Sequence, residues 1–440
     1  MDQMIRMMDV GGVDQLEVVS CEPQAPGAGE VRIRHEAIGV NFIDIYHRIG
    51  LYPLAQLPAV LGVEGAGVIE AVGEGVVDLA IGDRIAYAGA PVGAYAATRL
   101  LPRARAIPLP KDISLRVAAA SMLRGLTAHM LLTRTYPVNA KSTILIHAAA
   151  GGLGAMLVRW AKHLGATVIG TTGSVEKGLI AKAYGADHVI VGRDSDIVSE
   201  IAALTDGRGV DFAIDGIGGG MLLKTLACVR PFGTVASIGQ AAGPIPPISV
   251  EQLGPRRSLS FARPSVMAYS ADPHTYLAAS EALIAVMQAG VVAEIGGEYS
   301  LVEAARAHTD LEGGAHHRHP AADFLIIEEI WAIQANAQGN EGTKVGWSAR
   351  TTVNQCVQGA VTAMPYAAPG PQDLDEKKSF KNRLDSTSEL QNLRNPTRAP
   401  ESYFRRKKAH LIGDQMGVFR YKSLTMSYFH TGIRTIIGAK

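Results

Sequence analysis

The 440-residue sequence predicts an α/β protein, in which a strand-rich β domain precedes a doubly wound parallel sheet and an irregular C-terminal tail follows. Three observations carry that reading. Short apolar strands alternate with helix-patterned segments from Ser142 onward. A glycine-rich turn joins the first of those strands to the helix after it. Beyond Ala315 the chain turns irregular, and from Thr343 it sustains neither period.

Each element follows in order. Val31–His35, Ala66–Val72 and Arg84–Tyr87 have strand character, with turns at Gly27–Gly29, Gly73–Gly75 and Gly82-Asp83. Residues 1–126 therefore form the β domain. In the second half the strands are Ser142–Ala148, Thr167–Thr172, His188–Val191, Val210–Asp215, Thr234–Ile238 and Ser258–Ala262. Helical spacing fills Leu153–Leu164, Glu176–Tyr184 and Ile197–Leu204 between them.

Composition narrows the function. A formal charge of +1 gives no sequence-wide attraction to nucleic acid or to an anionic membrane. No apolar run is long enough to span a bilayer. Met1–Val10 lacks the basic start and apolar core of a secretory signal. Cys21, Cys228 and Cys356 are odd in number and far apart, against both a disulfide framework and a cysteine zinc cluster. The expectation is a cytoplasmic enzyme with reduced thiols.

The first strand of the parallel sheet runs into Ala149-Ala150-Gly151-Gly152-Leu153-Gly154. Gly151 and Gly152 let backbone approach a pyrophosphate, Gly154 lets the helix pack on the strand, and the helix N-terminus offers N–H groups to phosphate. This is a Rossmann dinucleotide loop with Ala149 in place of its first glycine. An NAD-binding chain would place Asp or Glu about 20 residues further on, at the end of the second strand. Here the stretch reads Thr171-Thr172-Gly173-Ser174, followed by Lys177. Hydroxyls and an ammonium suit a 2′-phosphate, so the expected cofactor is NADPH.

With these motifs in place, the chain resembles the medium-chain dehydrogenase/reductase superfamily, and within it the zinc-independent NADPH:quinone oxidoreductases that include zeta-crystallin. The resemblance rests on Gly39-Val40-Asn41-Phe42-Ile43-Asp44, Leu61-Gly62-Val63-Glu64-Gly65-Ala66-Gly67, Gly125-Leu126-Thr127-Ala128, Ala149–Gly154 and Arg263-Pro264-Ser265. It implies a GroES-like catalytic domain over 1–126, a Rossmann domain over 127–266, and a segment over 267–314 that returns to the first domain. It also implies a homodimer, through edge pairing near Ser258–Ala262.

The resemblance places Asn41 and Thr127 near the nicotinamide, Tyr46 and Tyr52 in the acceptor pocket, and Ser174 and Lys177 at the 2′-phosphate. Gly173 sits with the last pair, Gly239 and Gln240 lie near the nicotinamide ribose, and Arg263 lies at the cleft. Zinc-dependent relatives carry Cys where Asn41 stands and His where Val63 stands, and neither present residue suits zinc. Without a Lewis acid, an electron-poor quinone or enone is the expected small-molecule acceptor, and a tyrosine hydroxyl could bond its carbonyl. The alternatives are an enoyl reductase acting on thioesters or enones, and an NADPH-binding structural or RNA-binding protein of the zeta-crystallin kind. His47, His129 and His147 read as structural. Relatives often carry Tyr where Gly192 stands, and Arg193 is the residue that could compensate.

Residues 315–440 read as an atypical tail, either a disordered extension or the product of a frame shift. The resemblance leads one to expect an Arg-Thr-Thr-Gly-like turn and a last strand after Glu312. The chain instead has Ala315-His316-His317-Arg318-His319-Pro320, and Phe324–Ile327 is the apolar run available to replace that strand. The assignment of Lys177 generates a test. Lys177→Ala is expected to weaken NADPH binding by about 1–3 kcal/mol, the scale of a charge-assisted hydrogen bond, and to leave NADH binding nearly unchanged. Titration with both nucleotides checks it, and equal losses would remove Lys177 from the 2′-phosphate.

Overall fold

A computed structural model describes residues 1–313, the strand Asp323–Ile327, and two short antiparallel strands, Ser427–Tyr428 and Arg434–Thr435. The rest of the expected tail lies outside the described residues.

The β domain contains β1 (Asp2–Met7), β2 (Leu16–Cys21), β3 (Glu30–Val40), helix α1 (Phe42–Arg48), β4 (Ala59–Val60), β5 (Glu64–Val72), β6 (Arg84–Ala88), β7 (Thr98–Pro102) and β8 (Ile107–Pro108). Helix α2 (Leu115–His129) leads to β9 (Thr143–Ile146), α3 (Gly152–His163), β10 (Thr167–Thr172), α4 (Val175–Ala183) and β11 (His188–Val191). Then come α5 (Ile197–Leu204), β12 (Val210–Asp215), α6 (Met221–Cys228), β13 (Val229–Ser237) and β14 (Ser260–Ala262). The described chain continues through α7 (Val266–Tyr269), α8 (Pro273–Gln288), β15 (Ile295–Ser300), α9 (Ala304–Gly313) and β16 (Asp323–Ile327).

The second sheet has the order β11-β10-β9-β12-β13-β14, and all its pairings are parallel. Numbered along the chain this is 3-2-1-4-5-6, the doubly wound order, with the order reversing at β9. Its central strands β9 and β12 are deeply buried, as expected where helices cover both faces; every residue of β12 is buried. The long strand β3 organises the first domain by pairing antiparallel with β5, β7 and β16.

Two expected boundaries move. The division at 126/127 falls inside α2, one residue after Gly125. In three dimensions that glycine is a packing residue, since a Cβ there would lie 2.2 Å from Leu283 Cδ1 on α8. The division at 266/267 likewise falls inside α7.

The third correction concerns the tail. The fold does not end at residue 314, because β16 inserts between β15, to which it is parallel, and β3, to which it is antiparallel. Leu325 and Ile326 are adjacent and so point to opposite faces, yet both are buried. Leu325 joins the cluster running from Ala66 through Leu126 to Ile146 and Phe212. Ile326 joins the cluster of Ile5, Ile33 and Tyr95. A strand that seals two cores is part of the domain. A chain ending at residue 314 is therefore expected to lose about 3–6 kcal/mol, the worth of two buried aliphatic side chains, while one ending at residue 330 keeps it. Denaturant unfolding of the two truncations measures the difference.

Candidate active site

The cleft is built from the C-terminal ends of β9, β10, β12 and β13 on one side and helix α1 on the other. After β9 the backbone turns through Ala148, whose φ of 49° lies in the left-handed region. Gly151 N–H donates to Ala148 O at 2.8 Å, and α3 begins at Gly152 with Gly151 as its N-cap. At Gly154 a Cβ would lie 2.1 Å from Ala148 O, so no side chain fits between helix and turn. The close-packed turn and the N–H groups opening α3 fit a dinucleotide pyrophosphate. Leu153 packs against the core behind them.

Buried polar groups hold the loops above this turn. His147 lies between Thr171 Oγ1 (2.9 Å) and Thr225 Oγ1 (2.8 Å). Thr225 donates to Asp215 Oδ2 at 2.7 Å, and Asp215 Oδ1 accepts the Ile217 and Gly218 N–H groups at 2.8 and 2.9 Å. Burial lowers the His147 pKa, which keeps the ring neutral and suits its structural place.

At the end of β10 the exposed Ser174 caps α4, its Oγ accepting Lys177 N–H at 3.3 Å. Lys177 is half-buried one turn into the helix. Gly192 adopts φ 116° after β11 and returns the chain toward this point. The Arg193 side chain then stands beside Gly173, where a Cβ would lie 3.4 Å from Arg193 Nε. Gly173, Ser174 and Arg193 thus meet at one polar corner, with Lys177 in the first turn of the helix that Ser174 caps and no carboxylate ending the strand. A 2′-phosphate fits it.

On the opposite wall, α1 is a short helix started by Asn41 in an extended conformation. Asp44 Oδ2 accepts Asn41 N–H at 2.9 Å, half of a capping box. The helix carries Tyr46 across the cleft, where Gln240 N–H donates to its Oη at 3.4 Å. Tyr46 and Tyr52 meet edge to face with centroids 5.3 Å apart. Tyr52 is held by its own backbone: its N–H donates to Tyr46 O at 3.0 Å, and its carbonyl accepts His47 Nδ1–H at 2.8 Å. Gly239 is buried next to Gln240. Arg263 donates from Nη1 to the buried Ser237 Oγ at 2.7 Å. Burial pushes the Tyr46 hydroxyl above its ordinary pKa, opposed by the Gln240 N–H and the Arg263 cation. Tyr46 is therefore a protonated donor near neutral pH.

The structure does not present Asn41 and Thr127 as free cleft groups. Asn41 is buried, and its Nδ2 donates to Glu64 Oε1 at 2.6 Å. The Thr127 hydroxyl donates back to Leu123 O in its own helix at 2.8 Å. The Asn41 amide thus ties the start of α1 to β5, and the Thr127 hydroxyl proton stays within its own helix. Sequence reasoning missed the group that holds Asn41, Glu64, although a lone carboxylate within an otherwise apolar stretch of Leu61–Gly67 is a visible signal. Among the described residues no group of three or more His, Cys, Asp or Glu could hold a metal. Val63 is buried and apolar, and Asn41 turns its NH2 to Glu64, so a catalytic zinc does not fit these residues.

A β domain and a 3-2-1-4-5-6 sheet flanking one cleft define the medium-chain dehydrogenase/reductase architecture. Residues 27–111 match the alcohol dehydrogenase GroES-like domain family, and residues 152–285 match the zinc-binding dehydrogenase family. The chain is 41% identical over 312 residues to a quinone oxidoreductase of Pseudomonas aeruginosa, covering 71% of this chain and 96% of that protein. It is 42% identical over 310 residues to a 2-haloacrylate reductase of a Burkholderia species, covering 69% and 93%. The solved structure of Escherichia coli quinone oxidoreductase with NADPH aligns at a TM-score of 0.70 and 36% identity, over 74% of this chain and 99% of that one. The chain belongs to the quinone oxidoreductases of the medium-chain dehydrogenase/reductase superfamily.

The polar corner generates a test. Arg193→Ala is expected to weaken NADPH by about 1–3 kcal/mol with little change for NADH, and to act jointly with Lys177→Ala rather than additively. Calorimetric titration of both nucleotides against the single and double variants reads this out.

Proposed function

We propose that the protein is a zinc-independent NADPH-dependent reductase of quinones and activated enones. Family membership supports this, as do relatives named for quinones and for a 2-haloacrylate, an electron-poor alkene, and a structural neighbour complexed with NADPH. The observation that carries it is the Tyr46 hydroxyl brought to the Gln240 N–H across the cleft.

Gly151–Gly154 would hold the pyrophosphate of NADPH and Ser174, Lys177 and Arg193 its 2′-phosphate, and the bound cofactor would supply the hydride. The chain's own residues do the rest. Gln240 occupies a lone pair of the Tyr46 oxygen and leaves that hydroxyl's proton free for an acceptor carbonyl. Tyr52 braces the Tyr46 ring, and Arg263, fixed by Ser237, adds positive potential where an oxyanion would form. A quinone or activated enone delocalises that charge itself, so positioning and one proton donor suffice.

The assembly belongs to the same reading. In β14 the six-stranded sheet ends on a short strand that pairs only with β13 among the described strands, and Phe261 is partly exposed there. Such an edge suits pairing with a second copy, which makes a homodimer. The described cysteines, Cys21 and Cys228, are free thiols, in keeping with a reducing cytoplasm. No described helix is long and apolar enough to cross a membrane.

NADPH oxidation with a panel of quinones, enones and enoyl thioesters, alongside an RNA-binding assay, tests the proposal. The expected result is turnover of quinones and enones, insensitive to chelators, with Tyr46→Phe about 10²-fold slower. Turnover of enoyl thioesters alone, RNA binding without turnover, or chelator inhibition reversed by zinc would each overturn it.

A further inference from the structure

Helix α1 has only seven residues, too few to hold its own orientation. The structure anchors it on both sides of Tyr46 by one hydrogen-bond chain that leaves the helix at Arg48 and returns at Asp44. The direction of each proton in that chain is determined. Arg48 Nη1 lies 3.3 Å from His308 Nδ1, and a guanidinium can only donate. Nδ1 is therefore the acceptor, and the neutral ring carries its proton on Nε2. Nε2 lies 2.9 Å from Tyr95 Oη, so Tyr95 accepts there and turns its own O–H to Asp44 Oδ2, 3.2 Å away. The same Oδ2 accepts the Asn41 N–H that starts the helix.

The ring stays neutral because burial, aided by the Arg48 cation, holds His308 down to about 3. At the far end Arg48 Nη2 donates to Glu312 Oε1 at 2.8 Å. His308 and Glu312 both belong to α9. Tyr95, fully buried, stacks edge to face on His308 with centroids 5.7 Å apart.

We propose that His308 and Tyr95 are positioning residues for the reductase site, fixing α1 at both ends so that the Tyr46 hydroxyl meets the Gln240 N–H. They touch neither cofactor nor acceptor and act through Tyr46. The inference rests on the function proposed above for its catalytic consequence, and on geometry alone for its structural one.

The experiment compares Tyr95→Phe, His308→Asn and His308→Gln in the full chain. Phe keeps the ring packing and loses the hydroxyl. Asn places an amide near Nδ1 and keeps the Arg48 contact, whereas Gln reaches the Nε2 position and can still donate to Tyr95. Amide hydrogen exchange at Gln240 reads the position of Tyr46 without any turnover. Tyr95→Phe and His308→Asn are expected to speed that exchange about tenfold, the scale of one hydrogen bond. They should lower kcat with quinone by a similar factor and leave NADPH affinity within about twofold. His308→Gln should stay near wild type, and Tyr95→Phe should add no further loss in a Tyr46→Phe background. Unchanged Gln240 exchange in both disrupting variants, a Gln variant as impaired as the Asn one, or a full additional loss on top of Tyr46→Phe would overturn the inference. Absence of quinone turnover in the wild type would overturn the functional reading alone, because the exchange measurement still decides the positioning.

Discussion

The rest of the structure depends on one buried carboxylate. Glu64 on β5 is fully buried, and it accepts Asn41 Nδ2–H and Leu123 N–H, each at 2.6 Å, with Arg124 as its counter-ion at 3.5 Å. These three partners belong to the start of α1 and to α2, so one side chain ties the catalytic wall to the helix that enters the nucleotide-binding domain. Burying a carboxylate costs several kcal/mol unless it is paired and fully hydrogen-bonded. Burial accordingly raises the Glu64 pKa, while Arg124, Asn41 and Leu123 pull it back. Neighbouring backbone makes room: a Cβ at Gly39 would lie 2.1 Å from Glu64 Oε1.

From that junction the two halves of the site are held by different means. The nucleotide side is a backbone device, the turn after β9 and the start of α3, stiffened from below by His147, Thr225 and Asp215. The acceptor side is a side-chain device on a short helix, and it needs anchors in the surrounding domain. Asp44 shows the cost of those anchors. Burial pushes its carboxyl up to about 7, and its Oδ1 is buried without a hydrogen-bond partner. The first domain thus spends stability to hold Tyr46 in place, as catalytic walls commonly do.

How much could be read without coordinates differed between the halves for a physical reason. The strands Thr167–Thr172, His188–Val191 and Val210–Asp215 have the same limits in sequence and structure, because each is a short run rich in β-branched residues between turn signals, and the central Val210–Asp215 is buried throughout. Helix α2 was not legible, since it is alanine-rich and contains Gly125, whose reason is the Leu283 side chain on α8. Tyr46, Tyr52, Gln240 and Arg263 were named from resemblance and do converge. Asn41 and Thr127 were named with them, yet their polar atoms serve Glu64 and the backbone of α2.

What the sequence by itself determined is everything governed by local period and turn chemistry. That covers the α/β class, the dinucleotide loop with its glycines, the absence of a carboxylate at the end of β10, and the lack of cysteine or histidine at positions 41 and 63. What only the tertiary structure decided depends on partners far apart in the chain. Tyr46 meets Gln240 across 194 positions, and Arg48 meets His308 across 260. Likewise, Asp323–Ile327 is a strand sealing two cores only because β3 and β15 leave a gap that fits it. Local pattern records which face of an element is apolar. It carries no information on which distant residue will occupy that face, because packing is settled between elements and not within them.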